Sequence, residues 1–320
     1  MINQDQIQDW LTRLKRGDIL TLARSITLIE SQLDSDQERK TQLLQSIQEI
    51  RKPSVKIGIT GSPGVGKSAF LNTLVSLFRD TSSRIAILTV DPSSTSTGGS
   101  ILGDKLRMKD LVDMSQVYIR PSPSKGVLGG INLTTWETIQ ICEAAGFDYV
   151  FIETVGVGQS EIEVQYLVNE VWYLTMARSG DEIQGIKKGI LEVVNRVIVI
   201  KMDLDPNGAQ KTKGLLQQIL KPMNPHEYKI NFYKVSALHP ESLESLFLDL
   251  QKIPAKPLTK KQRAFWFDRD YQETLISFIK SNPVLKNRHQ ELSKSVDSGQ
   301  MDHWTAINEL KKELEEKWKK

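Results

Sequence analysis

The sequence predicts an α/β fold, a doubly wound and mostly parallel sheet that carries helical extensions at both ends. From Val55 to about Leu250, short β-branched runs alternate with helical stretches, the pattern of strands joined by crossover helices. Several of these runs are apolar at nearly every position, as strands covered on both faces tend to be. A glycine-rich turn, Gly61 to Ser68, stands directly between the first run and the helical stretch after it.

The elements follow in order. Within residues 1–50, Trp10, Leu14, Leu22, Ile26, Ile29, Leu43 and Ile47 recur among charged and Gln-rich positions at a spacing that suits two or three amphipathic helices, an N-terminal extension. Residues 51–253 form the core, with strands expected at Val55 to Thr60, Arg84 to Val90, Gln116 to Arg120, Tyr149 to Glu153, Val171 to Met176, Val197 to Ile200 and Ile230 to Val235. Past Pro254 and Pro257, residues 254–320 form a C-terminal helical arm. There Trp304, Ile307, Leu310, Leu314 and Trp318 recur at steps of three or four. That stripe needs an apolar partner, either the chain's own core or a second copy of the chain.

Composition bounds the function. At 320 residues, with 39% hydrophobic and 25% charged positions, the chain has ample material for a buried core. Lys and Arg number 42 against 39 Asp and Glu, a net charge of +3 that is too mild for a dedicated nucleic-acid surface. Met1 to Gln6 has no basic or apolar leader character, and no run approaches the roughly 18 apolar residues of a spanning helix, so a cytoplasmic protein without a membrane partner is expected. The single cysteine, Cys142, reads as a small buried residue on a helix. His226, His239, His289 and His303 show no pair at metal-ligand spacing and read as surface or packing residues.

Gly61-Ser62-Pro63-Gly64-Val65-Gly66-Lys67-Ser68 fits GxxxxGK[ST], with a strand before and a helix after. The glycines let backbone N–H groups, including that of Ala69, converge on phosphate oxygens. Lys67 can reach the β/γ-phosphates as the catalytic cation, and Ser68 can bind Mg²⁺. Asp91, Asp104 and Glu153 are candidate carboxylates at or just behind that Mg²⁺, since each lies on or after the carboxyl end of a strand. Gly156, three positions after Glu153, is placed to sense the γ-phosphate through its N–H. Val157 stands where many GTPases carry a water-orienting glutamine, so slow unassisted hydrolysis is expected, with Gln159 or a partner's residue supplying that function.

Base recognition centres on Ile200-Lys201-Met202-Asp203, in the place of an Asn-Lys-x-Asp guanine motif. Asp203 can accept from guanine N1–H and the exocyclic amine, whereas adenine offers neither. Lys201 can lie across the base. Ile200 cannot make the polar contacts of asparagine, a loss on the order of 1–3 kcal/mol if nothing replaces them. Ser236-Ala237-Leu238, after the last strand, can present a backbone N–H to the guanine carbonyl.

These blocks, with Asp91-Pro92-Ser93-Ser94, Gly98 to Lys105, Arg120 to Ser124, Glu153 to Glu161 and Gly180 to Gly189, resemble the MeaB/ArgK group of P-loop GTPases. The likeness spans roughly residues 50 to 240. It implies a GTP/GDP-binding chaperone of an adenosylcobalamin-dependent acyl-CoA mutase, methylmalonyl-CoA mutase or a relative, which gates cofactor loading and protects that enzyme. It further implies a homodimer whose hydrolysis the mutase stimulates, Ser68, Asp91, Asp104 and Glu153 around magnesium, and Asp203 on guanine. Gly180, Asp181, Glu182, Gln184, Lys187 and Lys188 would belong to an additional switch facing the mutase. Ile200 and the pair Ala177-Arg178, where the family typically has Pro-Gly, depart from its pattern. A P-loop kinase of a small acceptor and a nucleotide-responsive scaffold with little turnover are the competing readings.

Overall fold

The computed structural model describes residues 4–91, 108–123, 133–154, 160–177, 188–223 and 230–318. Strands β1 (Val55–Gly61), β2 (Ile85–Asp91), β3 (Val117–Pro123), β4 (Tyr149–Glu153), β5 (Glu170–Met176), β6 (Arg196–Ile200) and β7 (Asn231–Lys234) form one sheet in the order β3-β2-β4-β1-β5-β6-β7. Every neighbouring pair is parallel. All seven expected strands are present, and β3 runs on to Pro123, past its expected end at Arg120. β1 and β6 are buried at every position, Lys56, Thr60 and Arg196 included, whereas the edge strand β7 is only half-buried.

The chain steps outward from β1 to β2 and β3, returns to insert β4 between β2 and β1, then crosses to β5, β6 and β7 on the other side. β1 therefore stands where the direction of winding reverses. The crevice beyond the carboxyl ends of the strands at such a point is where open α/β sheets bind ligands. Helix Lys67–Ser76 (called α4, after three N-terminal helices) and helix Glu244–Gln251 cover one face. Ile57, Ile59, Phe70, Leu74, Phe78, Trp172, Ile198 and Leu246 join sheet and helices in a single buried cluster. Each such side chain contributes about 1.5–3 kcal/mol on burial.

The N-terminal helices α1 (Gln4–Lys15), α2 (Ile19–Glu30) and α3 (Asp34–Ser46) belong to the same compact unit as the sheet, Met1–Arg263. Asp18 caps α2 by accepting from the Thr21 N–H at 2.9 Å, a bond that lowers its carboxyl pKa. Leu22, Ile26 and Ile29 of α2 are fully buried, and α2 packs on α5 (Leu133–Ala144). α5 is buried on almost every side, polar residues included, and so shows no one-sided apolar stripe. Cys142 lies there, fully buried, its thiol pushed up to about 12 by burial. Arg120 of β3 forms an ion pair with Glu30 at the end of α2.

An ion pair links β1 to α5. Lys56 is 1% exposed, and its Nζ donates to Glu143 Oε1 at 2.7 Å and to the carbonyls of Ser54 and Lys256 at 3.0 and 3.1 Å. Burial pulls the ammonium below its ordinary pKa, and Glu143 opposes that shift. Removing Lys56 leaves the interior Glu143 carboxylate with only Arg51 Nε, at 3.5 Å, and the Ser54 N–H and hydroxyl, at 3.1 and 3.2 Å. Lys56→Met should therefore cost about 3–5 kcal/mol of folding stability by urea unfolding, and the double substitution Lys56→Met with Glu143→Gln clearly less. Equal losses in the two variants would assign the effect to packing alone.

Residues Ala264–Lys320 form a second compact unit. Asn282 caps helix Pro283–Asp297 by accepting from the N–H groups of Val284 and Leu285 at 3.0 and 3.2 Å. Asp302 does the same for helix His303–Trp318 through Trp304 and Thr305 at 3.0 and 3.1 Å. Arg288 ties the two helices by bonding Glu309 and Glu313, both at 3.1 Å. In the expected stripe, Trp304 and Ile307 are exposed, while Ala306 of the same helix is buried. Among the described residues, no helix is long and apolar enough to cross a membrane.

Candidate nucleotide site

The site begins where β1 ends. Gly61 has φ +146°, and a Cβ there would stand 2.3 Å from the Leu174 carbonyl oxygen of β5, so only glycine lets the chain leave the sheet here. The Val65 N–H then donates to the Ser62 carbonyl at 3.2 Å and closes the turn. Gly66 (φ 112°, ψ 30°) precedes α4 with no capping side chain. The first intrahelical bond is Phe70 N–H to the Gly66 carbonyl, 2.9 Å. The N–H groups of Lys67, Ser68 and Ala69 precede that bond and face out of the helix end, where the backbone dipoles favour an anion.

Two side chains, Lys67 and Ser68, stand at this helix end. Lys67 is 7% exposed, and its Nζ donates to the Gly61 and Ser62 carbonyls at 2.8 and 3.2 Å, which holds the ammonium over the loop. The Ser68 hydroxyl donates to Glu153 Oε1 at 2.8 Å. Glu153 ends β4, paired in register with Ile59 of β1 and Thr89 of β2, and is 9% exposed. Thr154 locks the strand end by donating its N–H and hydroxyl to the Ile59 carbonyl at 3.0 and 3.3 Å. A hydroxyl and a carboxylate are hard oxygen donors, the set that Mg²⁺ selects. Asp91 ends β2 at the same sheet edge. Among the described residues, no group of three or more His, Cys, Asp and Glu is arranged to hold a metal.

The loops after β6 and β7, where the sequence places base recognition, lie next to each other. Lys201 is the one non-glycine residue with positive φ, 55°, among those described, so the chain turns sharply as it leaves β6. Its Nζ lies 3.5 Å from Met176 Sδ. Asp203 is exposed. A hydrogen bond from the Ser236 hydroxyl, assisted by its own backbone N–H and by the nearby His239 and Lys201, holds its carboxyl below the ordinary value. Ser236 Oγ also accepts from the Leu238 N–H at 3.2 Å, and Ser242 Oγ accepts from the Ser236 N–H at 2.9 Å. Thus Asp203, Ser236 and Leu238 share one brace. Ala237 is fixed to α4 because Thr73 donates to its carbonyl at 2.9 Å.

The structure brings Gly61, Ser62, Pro63, Gly64, Val65, Gly66, Lys67, Ser68, Ala69 and Glu153 to one edge of the sheet, with Asp91 at the end of the neighbouring strand. Lys201, Asp203, Ser236, Ala237 and Leu238 share the adjoining loops. Asp104, Gly156, Gln159, Gly180, Asp181, Glu182, Gln184 and Lys187 lie outside the described residues, while Lys188 opens the short helix Lys188–Leu191. Sequence reasoning missed Thr73, Met176 and Ser242. Each is an ordinary residue in an ordinary element, and only its partner in space gives it a role at the site.

Solved and curated proteins resemble the chain over most of its length. A probable GTPase of Mycobacterium tuberculosis is 37% identical over 320 residues, covering 96% of this chain and 95% of its own. The mouse protein "methylmalonic aciduria type A homolog, mitochondrial" is 34% identical over 324 residues, covering 94% of this chain and 78% of its own. The crystal structure of a LAO/AO transport system kinase superposes with TM-score 0.66 at 26% identity, covering 98% of this chain and 99% of that one. Residues 22–290, which take in the phosphate loop, every strand and the base loop, match the family model described as methylmalonyl-CoA mutase-associated GTPase MeaB, and this chain is a GTPase of that family.

Proposed function

We propose that this GTPase works with Mg²⁺ as the chaperone of an adenosylcobalamin-dependent acyl-CoA mutase, methylmalonyl-CoA mutase or a relative, gating cofactor loading and protecting the enzyme. The observation that carries the nucleotide chemistry is the Ser68–Glu153 bond of 2.8 Å at the mouth of the phosphate loop, a hydroxyl and a carboxylate side by side with the Lys67 ammonium. The family's description supports the mutase as partner. Ser68, Glu153, Asp91 and Asp104 would hold Mg²⁺, which when bound neutralises charge on the β- and γ-phosphate oxygens.

The chain's own groups do the rest. The amides of the loop and the ammonium of Lys67 take up the charge that develops as water attacks the γ-phosphorus in line and the bond to the β-phosphate oxygen breaks. Gly156 would sense the γ-phosphate, and Gln159 or a mutase residue would orient the water. Lys201 and Asp203 would hold guanine, with the Ser236 to Leu238 backbone at its carbonyl. Gly180, Asp181, Glu182, Gln184, Lys187 and Lys188 would carry the nucleotide state to the mutase. Around the core of residues 51–253, the arms of residues 1–50 and 254–320 would serve assembly as a cytoplasmic homodimer, and Trp304 and Ile307 are apolar surface suited to that contact.

Phosphate release from GTP, measured with Mg²⁺ and with or without the purified apo-mutase, tests this reading. A positioned group from the partner should raise the rate on the order of a hundredfold, and EDTA should return it to background. No stimulation by any acyl-CoA mutase would remove the chaperone role and leave a slowly turning nucleotide-responsive scaffold. The name of the LAO/AO transport system kinase favours one further reading, transfer of the phosphoryl group to a small acceptor. A phosphorylated product in place of free phosphate would establish it.

A further inference from the structure

Ile200 stands where a guanine motif carries asparagine, and the structure gives it contacts of its own. It ends β6 opposite Met176, is 4% exposed, and belongs to the same buried apolar cluster as Val65 of the phosphate loop. Its Cδ1 lies 3.2 Å from the point a Cβ on Gly66 would occupy, and the Cε of Lys201 lies 3.8 Å from that point. The methyl group thus covers the open side of Gly66, at the left-handed turn that aims the first N–H groups of α4. About two turns further along the same helix, Thr73 donates to Ala237 in the base loop at 2.9 Å. Two contacts of different chemistry therefore join the base loops to the phosphate-loop helix.

We infer that Ile200 is a positioning residue that holds the Gly66 turn by apolar contact, so that the phosphate amides and the base loops keep one fixed geometry. This rests on the reading of residues 61–69 as the phosphate cradle. A polar side chain at position 200 would meet the buried cluster, and a smaller one would leave the turn uncovered. Since a displacement of about 1 Å at groups that stabilise a transition state lowers rates about a hundredfold, loosening this turn acts on the chemical step. Guanine discrimination, which belongs to Asp203, is left in place.

Single-turnover GTP hydrolysis with protein in excess, normalised to folded nucleotide-binding sites, separates this from a merely structural role. Ile200→Ala should slow the chemical step about tenfold while keeping the GTP over ATP preference, and Ile200→Val should recover most of the loss. Thr73→Val should also slow it, and the double variant should depart from the product of the single effects, because both contacts hold one helix. An unchanged rate per folded site in Ile200→Ala overturns the inference, as does a loss of guanine preference in place of a loss of rate. Should Ile200→Ala fail to fold, Ile200→Val and Thr73→Val decide by the same two readouts. Lys67→Ala serves as the control: if it hydrolyses GTP normally, the cradle reading itself has failed, whatever the Ile200 variants do.

Discussion

Lys67→Ala should abolish turnover of GTP, lowering the hydrolysis rate at saturating nucleotide on the order of a thousandfold. Its ammonium is held over the phosphate loop, 2.8 Å from the Gly61 carbonyl, and the residue is 7% exposed. A charge so enclosed acts in a medium of lower dielectric than water, and its attraction for a phosphate tail is correspondingly larger. The γ-phosphoryl oxygens gather charge as the bond to the leaving phosphate breaks, so much of the lysine's contribution appears only in the transition state and reports on rate as well as affinity. Removal of one preorganised donor at such a position costs about 10²–10³ in rate, and a full charge lies at the upper end of that range. Lys67→Arg should not restore activity, because the bulkier planar guanidinium does not fit the buried spot from which the compact ammonium bonds the Gly61 and Ser62 carbonyls. Binding of a fluorescent GTP analogue and phosphate release, measured on the same preparation, check both halves. Near-normal hydrolysis in Lys67→Ala would move the chemistry away from this loop.

Much of this arrangement is legible in the chain itself, and the reason is physical. Strands such as β1 (Val55–Gly61) and β6 (Arg196–Ile200) are covered on both faces, so most of their positions are apolar and they stand out without any partner being known. The phosphate loop is legible because its requirements are local. Glycine is needed at Gly61 and Gly66, where φ is +146° and 112°, and a cation and a hydroxyl follow at adjacent positions. What escapes the sequence is pairing across distance. Lys56 reads as an interruption in a strand until Glu143, far along the chain, is found 2.7 Å from it. Arg120 reads as part of a conspicuous Arg-Pro-Ser-Pro block, yet its side chain is tied to Glu30 at the end of α2. α5 escapes for the opposite reason: it is buried nearly all round, so no periodicity marks which side is inward. Ile200 reads as the loss of a polar contact, and the structure shows an apolar contact with Gly66 in its place.

Asp203→Asn should invert the choice of base, with GTP affinity falling by about 10²–10⁴ and xanthosine triphosphate becoming the better ligand. The carboxylate can accept two hydrogen bonds from guanine, from N1–H and from the exocyclic amine, and bonds to a charged acceptor are worth roughly 1.5–3 kcal/mol each. An asparagine amide still accepts from N1–H, but its NH₂ then faces the guanine amine, donor against donor. Xanthine carries a carbonyl at that place and accepts the same NH₂, so the substitution exchanges one match for another. The Ser236 hydroxyl, which donates to Asp203 and accepts from the Leu238 N–H, keeps the side chain aimed in both proteins. Because that bond also holds the carboxyl below its ordinary value of 3.8, Asp203 stays ionised throughout the range from pH 8 down to pH 5. Its contribution is complete above the ordinary carboxylate pKa and is lost only as the pH falls through the lowered one, so the guanine preference of the unaltered protein should be flat between those limits. Competition among GTP, ATP and xanthosine triphosphate for a fluorescent nucleotide, run at pH 5 and pH 8, measures all of this at once. If Asp203→Asn kept its preference for GTP, the base would have to be read elsewhere; if the preference of the unaltered protein collapsed near pH 5, some other group would be titrating at the base.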